Sequence, residues 1–129
     1  MEPTRAHILV VDDGEDLREL FAIYLARMGY RVSMARDGKE GLEKAFGLMP
    51  DLVLLDLWLP EISGWDVLHQ LNSDARTAHI PVVVLAGYTM ARPRECDGFL
   101  MKPFQLDELS EEIMHKLSAP ALSSLRRSV

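Results

Sequence analysis

The chain has 129 residues, 48% hydrophobic and 26% charged, an ordinary globular balance that excludes a disordered segment and a disulfide-stapled scaffold. Fourteen basic residues against twenty acidic ones give a formal charge of -6, so no global field attracts nucleic acid, and direct nucleic-acid binding is not expected. The lone Cys96 cannot form a disulfide within the chain, no charged-then-apolar leader opens the sequence, and every apolar run stops short of the roughly 18 residues a membrane span needs. The expectation is one domain in the cytoplasm, with no membrane partner.

The first element is the solid apolar run Ile8-Leu9-Val10-Val11, a strand covered on both faces, which Asp12-Asp13 follow directly. Leu17, Leu20, Phe21, Tyr24, Leu25 and Met28 then recur at helical spacing and predict an amphipathic helix that Gly29 stops. Residues 30–35 alternate, as an edge strand does. Asp37 stands at the cap of a second helix with Glu40 at the capping-box spacing, and this helix is expected to bury Leu42, Ala45, Phe46 and Met49 before Pro50.

Leu52-Val53-Leu54-Leu55 is another covered strand and ends in Asp56. A third helix near residues 64–72 presents Val67, Leu68 and Leu71. Val82-Val83-Val84-Leu85 ends in Ala86, and Phe99-Leu100-Met101 leads into Lys102-Pro103. The last helix, from about Gln105 to Leu117, carries Leu106, Leu109, Ile113 and Leu117 on one stripe, with acids in its first turns that suit the helix dipole. Residues 5–117 are expected to form the domain, and 118–129 a mobile tail or the start of a linker, whose Arg126-Arg127 doublet is assigned no function.

Strands alternating with helices predict an α/β, doubly wound parallel sheet. With the alternating strand at an edge, the order is 2-1-3-4-5, which brings Asp12, Asp13 and Asp56 together at the carboxyl ends of adjacent strands. A carboxylate at such an end can attack phosphorus and form an acyl phosphate, while two neighbouring acids hold a hard divalent cation and a lysine offsets the incoming charge. All-oxygen ligands favour magnesium over zinc. Taken alone, Asp12-Asp13 could equally cap the first helix; joined to Asp56 and Lys102 at matching strand ends, the set reads as a magnesium-assisted phosphoryl acceptor. His7, His69, His79 and His115 have no metal-ligand spacing.

Over residues 5–117 the sequence resembles the receiver domain of a two-component response regulator, a flavodoxin-like fold. Asp12-Asp13 stand at that family's acidic pair, Asp56 at its phosphoacceptor, Pro60 and Gly64 in the turn beyond, and Lys102-Pro103-Phe104 at its lysine-proline motif. The resemblance implies metal ligation by Asp13, Asp56 and the backbone carbonyl of Trp58, with Asp12 in support. It also implies Mg2+ as cofactor, with Mn2+ as an alternative, Phe99 as the switch aromatic, and phosphoryl contacts from Lys102 and the backbone of Ala86 and Gly87. The implied partner is a histidine kinase or histidine phosphotransfer protein, docking near Leu17, Ile23 and the Pro103 loop. Such a domain is a signalling acceptor, not an enzyme.

Two features depart from the family pattern. Ala86 stands where the family places a Thr or Ser hydroxyl, for which Tyr88 or Thr89 could substitute only from further along the loop. Ala86 through Gly98 also spans just 13 residues, near the minimum for a parallel crossover, with Gly87 and Pro93 inside it. The fourth helix is therefore expected to be shortened or missing. In the resembling family that helix helps form the output or homodimer face, so a second reading is a receiver-like interaction module that works without phosphorylation. Trp58 is left with two roles, screening the acyl phosphate from water or covering apolar surface, and Phe99 and Phe104 with two, core or switch. A phosphatase would want a second acid where Trp58 stands, and a dinucleotide enzyme a glycine-rich turn that Asp13-Gly14-Glu15 lacks.

Overall fold

The computed structural model describes residues 5–87 and 90–118. Their elements run β1 (His7–Val11), α1 (Glu15–Arg27), β2 (Arg31–Ala35), α2 (Gly38–Leu48), β3 (Leu52–Asp56), α3 (Gly64–Ser73), β4 (Val82–Ala86), β5 (Gly98–Met101) and α4 (Leu106–Leu117). The five strands form one sheet of order β2-β1-β3-β4-β5, parallel throughout, as expected. Tyr88, Thr89 and the 119–129 segment lie outside the described residues.

The solid apolar strands are central because both of their faces are covered. Ile8, Val10, Leu52, Leu54, Val83 and Leu85 pack with Phe21 and Leu25 of α1 and Leu109 and Ile113 of α4. The alternate residues Leu9, Val11, Val53, Leu55, Val82 and Val84 pack with Ala45 of α2 and with Val67, Leu68 and Leu71 of α3. Alternate side chains point to opposite faces of a strand, so each apolar run feeds two cores at once.

The helix ends show where local signals held and where they shifted. Gly29 closes α1 at φ 97, a conformation that favours glycine. Asp37 Oδ1 accepts from the amide of Glu40 at 2.8 Å, but Glu40 Oε1 accepts from the amide of Arg36, one residue before the cap, so the expected reciprocal box is displaced. Met49 is exposed because it ends α2 in the left-handed region, φ 49, instead of continuing the buried stripe. Phe46 is half-buried beneath the Arg76 guanidinium, 4.7 Å from its ring centroid. In α1 only Phe21 and Leu25 are fully buried; Leu20 and Met28, expected on the same stripe, are exposed.

No helix lies between β4 and β5 among the described residues of the crossover, in keeping with its length. Its second half is fastened to α3 by Asn72, whose Nδ2 donates to the Glu95 carbonyl at 3.0 Å, and is tied within itself where Cys96, buried in the core, donates to the Pro93 carbonyl at 3.2 Å. Ala86 and Val84 are fully buried in the core they share with residues of α2 and α3. No helix among the described residues is long and apolar enough to cross a membrane.

Candidate functional site

β1 and β3 are adjacent and in register, with Val11 opposite Leu55, so Asp12 and Asp56 emerge side by side where the strands end. One carboxylate oxygen from each of Asp12, Asp13 and Asp56 lies within 4.8 Å of the others.

Asp12 is buried and held from three sides. Its amide donates to the Ala35 carbonyl at 3.1 Å, its carbonyl accepts from Arg18 Nη1 at 2.8 Å, and its Oδ1 accepts from the Gly14 amide at 2.8 Å. Oδ2 is left buried with no hydrogen-bond partner, 4.0 Å from Lys102 Nζ. The helix-cap reading of the acidic pair fails, because α1 is capped at Gly14 with no side-chain bond to its first amides. Asp13 is exposed.

Asp56 is 4% exposed. Its Oδ1 accepts from the Trp58 amide at 3.0 Å, and its Oδ2 lies 3.5 Å from Lys102 Nζ. Burial pushes its carboxyl up to about 6; the Trp58 amide opposes this, the neighbouring Asp12 charge adds to it, and the Lys102 ammonium counters again. The loop beyond turns back closely: the Gly64 amide donates to the Leu57 carbonyl at 3.0 Å, and a Cβ at Gly64 would meet Asp56 O and Leu57 Cα at 2.4 Å. Glycine is required there by close approach. Pro60, in the same loop, is exposed.

Lys102 is placed by the strand before it, since its amide donates to the Ala86 carbonyl at 2.8 Å, and the Lys102–Pro103 peptide is cis. Ala86 itself is fully buried on the α2–α3 face. Gly87 has open space where a Cβ would stand, so unlike Gly64 it meets no steric demand. Phe99 is half-buried against the core of the α2–α3 face, and Phe104 stacks on Phe21 at 6.3 Å between centroids. Trp58 leaves its side chain 77% exposed, which removes the reading that it covers apolar surface.

A cleft of about 380 Å³ opens over Asp56, lined by Trp58, Gly87, Met90 and Lys102. The sequence reading missed Met90, Gly14 and Arg18. Gly14 and Arg18 had a local signal, since a glycine just after an acidic pair and an arginine one helical turn on can both reach back to Asp12. Met90 had none, because its position depends on the path of an irregular crossover.

Three carboxylates sharing a site with one lysine, and one buried carboxylate oxygen without a hydrogen-bond partner, are the donor set a hard divalent cation completes. The residues therefore fit Mg2+, whose all-oxygen preference they match.

The family model described as "Response regulator receiver domain" matches residues 8–114. The chain is 38% identical over 108 residues to the DNA-binding dual master transcriptional regulator RpaA of Synechocystis, covering 79% of this chain and 45% of that protein. It is 32% identical over 112 residues to the polar-differentiation response regulator DivK of Brucella anthropi, covering 82% of this chain and 91% of that one. In structure it is similar to a CheY-like response regulator receiver domain protein from Methanospirillum hungatei, with a TM-score of 0.82 and 26% identity, over 92% of this chain and 98% of that one. The sheet, the acidic pocket and these matches together define a phosphorelay signalling fold, and the chain belongs to the response regulator receiver domain family. Receiver domains are signalling proteins of two-component systems, not classical enzymes; they interact with histidine kinases or phosphotransfer proteins and bind Mg2+ in an acidic pocket. The chain spans about half the length of the DNA-binding relatives it matches.

Proposed function

We propose that this receiver domain accepts a phosphoryl group on Asp56 from the phosphohistidine of a partner kinase or phosphotransfer protein. The observation that carries the reading is the placement of Asp56: buried, 3.5 Å from Lys102, beside Asp12 Oδ2, which has no hydrogen-bond partner, and facing an open cleft. In the transfer, a carboxylate oxygen of Asp56 bonds to phosphorus as the phosphorus–nitrogen bond breaks, and the imidazole leaves with the electron pair. A group held near 6 by burial is mostly ionised at neutral pH and keeps the nucleophile available. The Trp58 amide fixes Oδ1, so Oδ2, beside Lys102, is the oxygen presented for reaction, and Lys102 then follows the charge onto the phosphoryl oxygens.

Asp13, Asp56 and the Trp58 carbonyl would hold the metal, with Asp12 in support; Mn2+ would serve in place of Mg2+. When bound, the cation neutralises the carboxylates and the phosphoryl oxygens. Backbone groups of Ala86 and Gly87 would meet the phosphoryl group in place of a side-chain hydroxyl, and Phe99 would act as the mobile aromatic. Pro60, Gly64 and Pro103 would support the loops. The histidine-bearing helix would dock on the apolar groove of about 280 Å³ lined by Leu17, Leu20, Phe21, Pro103, Phe104 and Leu106, beside the exposed Ile23.

Residues 5–117 are the receiver unit in this reading, with 118–129 a tail or the start of a linker. The acidic balance of the chain supports an output through protein contacts and not through nucleic acid bound by this segment itself. Ala86 and a crossover with no helix among its described residues favour a second reading, an interaction module that binds its partner with or without phosphate. Incubation with Mg2+ and acetyl phosphate, followed by intact mass, separates the two. An adduct of one phosphate that vanishes in Asp56→Asn supports the first reading; no adduct under varied donors favours the second.

A further inference from the structure

We infer that Arg18 is a positioning residue, whose guanidinium holds the Asp12–Asp13 peptide in the orientation that aims Asp13 at the metal position. The inference rests on the metal-ligand reading above and adds to it a residue outside the ligand set that governs how tightly the cation is held.

Arg18 bonds to both residues that flank Asp13. Its amide donates to the Gly14 carbonyl at 2.9 Å, a first-turn bond of α1 that the backbone makes whatever the side chain. Its Nη1 donates to the Asp12 carbonyl at 2.8 Å, which takes a long side chain to reach. That carbonyl belongs to the planar peptide joining the two acids, so the bond fixes the plane from which the Asp13 backbone sets out. The other side of Asp12 is fixed as well, because its amide donates to the Ala35 carbonyl at 3.1 Å.

Asp13 depends on this control more than its neighbours do. Asp12 and Asp56 are buried and held by packing, whereas Asp13 is exposed, and its direction is set by the backbone on either side. Its carboxylate nonetheless converges with theirs to within 4.8 Å.

Charge and geometry oppose each other at Arg18. As a positive charge beside an acidic pocket it repels a divalent cation, and on that account its removal would tighten binding. As the support of the Asp12–Asp13 peptide it pre-arranges the ligands, and on that account its removal loosens binding. The sign of the change therefore identifies the role. Geometry is expected to prevail, because the bond is short and local while the half-buried charge is screened by water and salt.

The test titrates Mg2+ alone into the full chain at about 0.1 M and about 0.5 M NaCl, for the parent, Arg18→Met and Arg27→Met. Tryptophan fluorescence gives the dissociation constant, and the rise of the urea midpoint with Mg2+ gives it a second time; the metal-free midpoint reports separately what Arg18 adds to the fold. Arg27→Met removes the same charge from the last turn of α1 and serves as the control. Loss of an outer partner of a metal ligand weakens affinity about 10–100-fold, and a bond to a ligand's backbone should fall below that range, so Arg18→Met is expected to bind about fivefold more weakly than the parent. Arg27→Met should stay within about twofold, and the deficit of Arg18→Met should persist at the higher salt, where repulsion is screened and geometry is not.

A deficit of about threefold or more at both salt concentrations, absent from Arg27→Met, supports the inference; a smaller deficit, tighter binding, or an equal deficit in Arg27→Met overturns it. If Arg18→Met does not fold by circular dichroism, Arg18→Gln decides on the same criterion, because an uncharged side chain too short for the Asp12 carbonyl suits a half-buried helix position. A parent that binds no Mg2+ defeats the metal-ligand reading and this inference with it; a parent that binds, with Arg18→Met unchanged, defeats this inference alone.

Discussion

The Lys102 amide donates to the Ala86 carbonyl at 2.8 Å, so the residue that lacks a side-chain hydroxyl still sets the position of the site's cation through its backbone. From that anchor the ammonium reaches Asp56 Oδ2 at 3.5 Å and Asp12 Oδ2 at 4.0 Å. β4 thus serves the pocket by geometry even though Ala86 brings no polar group to it.

Ala86 is fully buried, so restoring a hydroxyl there is a packing problem as well as a chemical one. Ala86→Thr should destabilise the fold by about 1–3 kcal/mol, because two added heavy atoms must be fitted against a closed core. Urea unfolding of both proteins measures this, and equal midpoints would show that the site has room.

Asp56 holds its proton more tightly in the fold than in the unfolded chain, since burial raises it to about 6. Such a group adds stability where it is protonated and loses it as the pH rises through the folded value. Metal-free stability should therefore fall between about pH 4 and pH 6, by about 1–3 kcal/mol. Asp56→Asn should flatten that slope and be the more stable protein at pH 7.5, as read by denaturation across the pH range.

Lys102 offsets two carboxylates at neutral pH, yet its side chain is 35% exposed, which screens the interaction. Lys102→Gln should cost about 1–2 kcal/mol without metal at pH 7.5, and clearly less in an Asp56→Asn background. A double-mutant cycle gives the coupling; additive effects would mean that the pair does not interact.

Gly64 is held against the Asp56 carbonyl, where a Cβ would come to 2.4 Å. Gly64→Ala should destabilise by about 3 kcal/mol or more, or displace the loop that carries Trp58. Thermal unfolding tests this, with Gly87→Ala as a comparison expected to be nearly neutral, because nothing crowds that position.

Mg2+ should stabilise the folded chain by about 2.7 kcal/mol at a hundredfold excess over its dissociation constant. The gain should be lost in Asp13→Asn, whose exposed carboxylate is among the three that converge. Tryptophan fluorescence gives a second readout, because Trp58 adjoins Asp56, and Trp58→Phe separates its signal from that of Trp65. A full Mg2+ effect in Asp13→Asn would remove that residue from the ligand set.

Much of this arrangement is legible along the chain because its signals are local and periodic. Solid runs such as Leu52–Leu55 mark covered strands, the alternation of residues 30–35 marks an edge, and an acid or lysine just after a run marks a strand end. Met49 and Glu40 depart from that reading because helix ends are set by one or two backbone conformations, which the apolar period does not encode.

Strand patterning and chain length constrain directly the sheet order, the convergence of Asp12, Asp13 and Asp56 near Lys102, and a β4–β5 crossover too short for a full helix, which has none among its described residues. Tertiary packing alone leaves Asp12 Oδ2 buried without a hydrogen-bond partner, turns the Trp58 side chain to solvent, and brings Met90 to the lining of the cleft. Each of these depends on how an irregular loop packs against distant strands. Burial, and the electrostatic cost it imposes on Asp56, is a property of such packing and of no single stretch of chain.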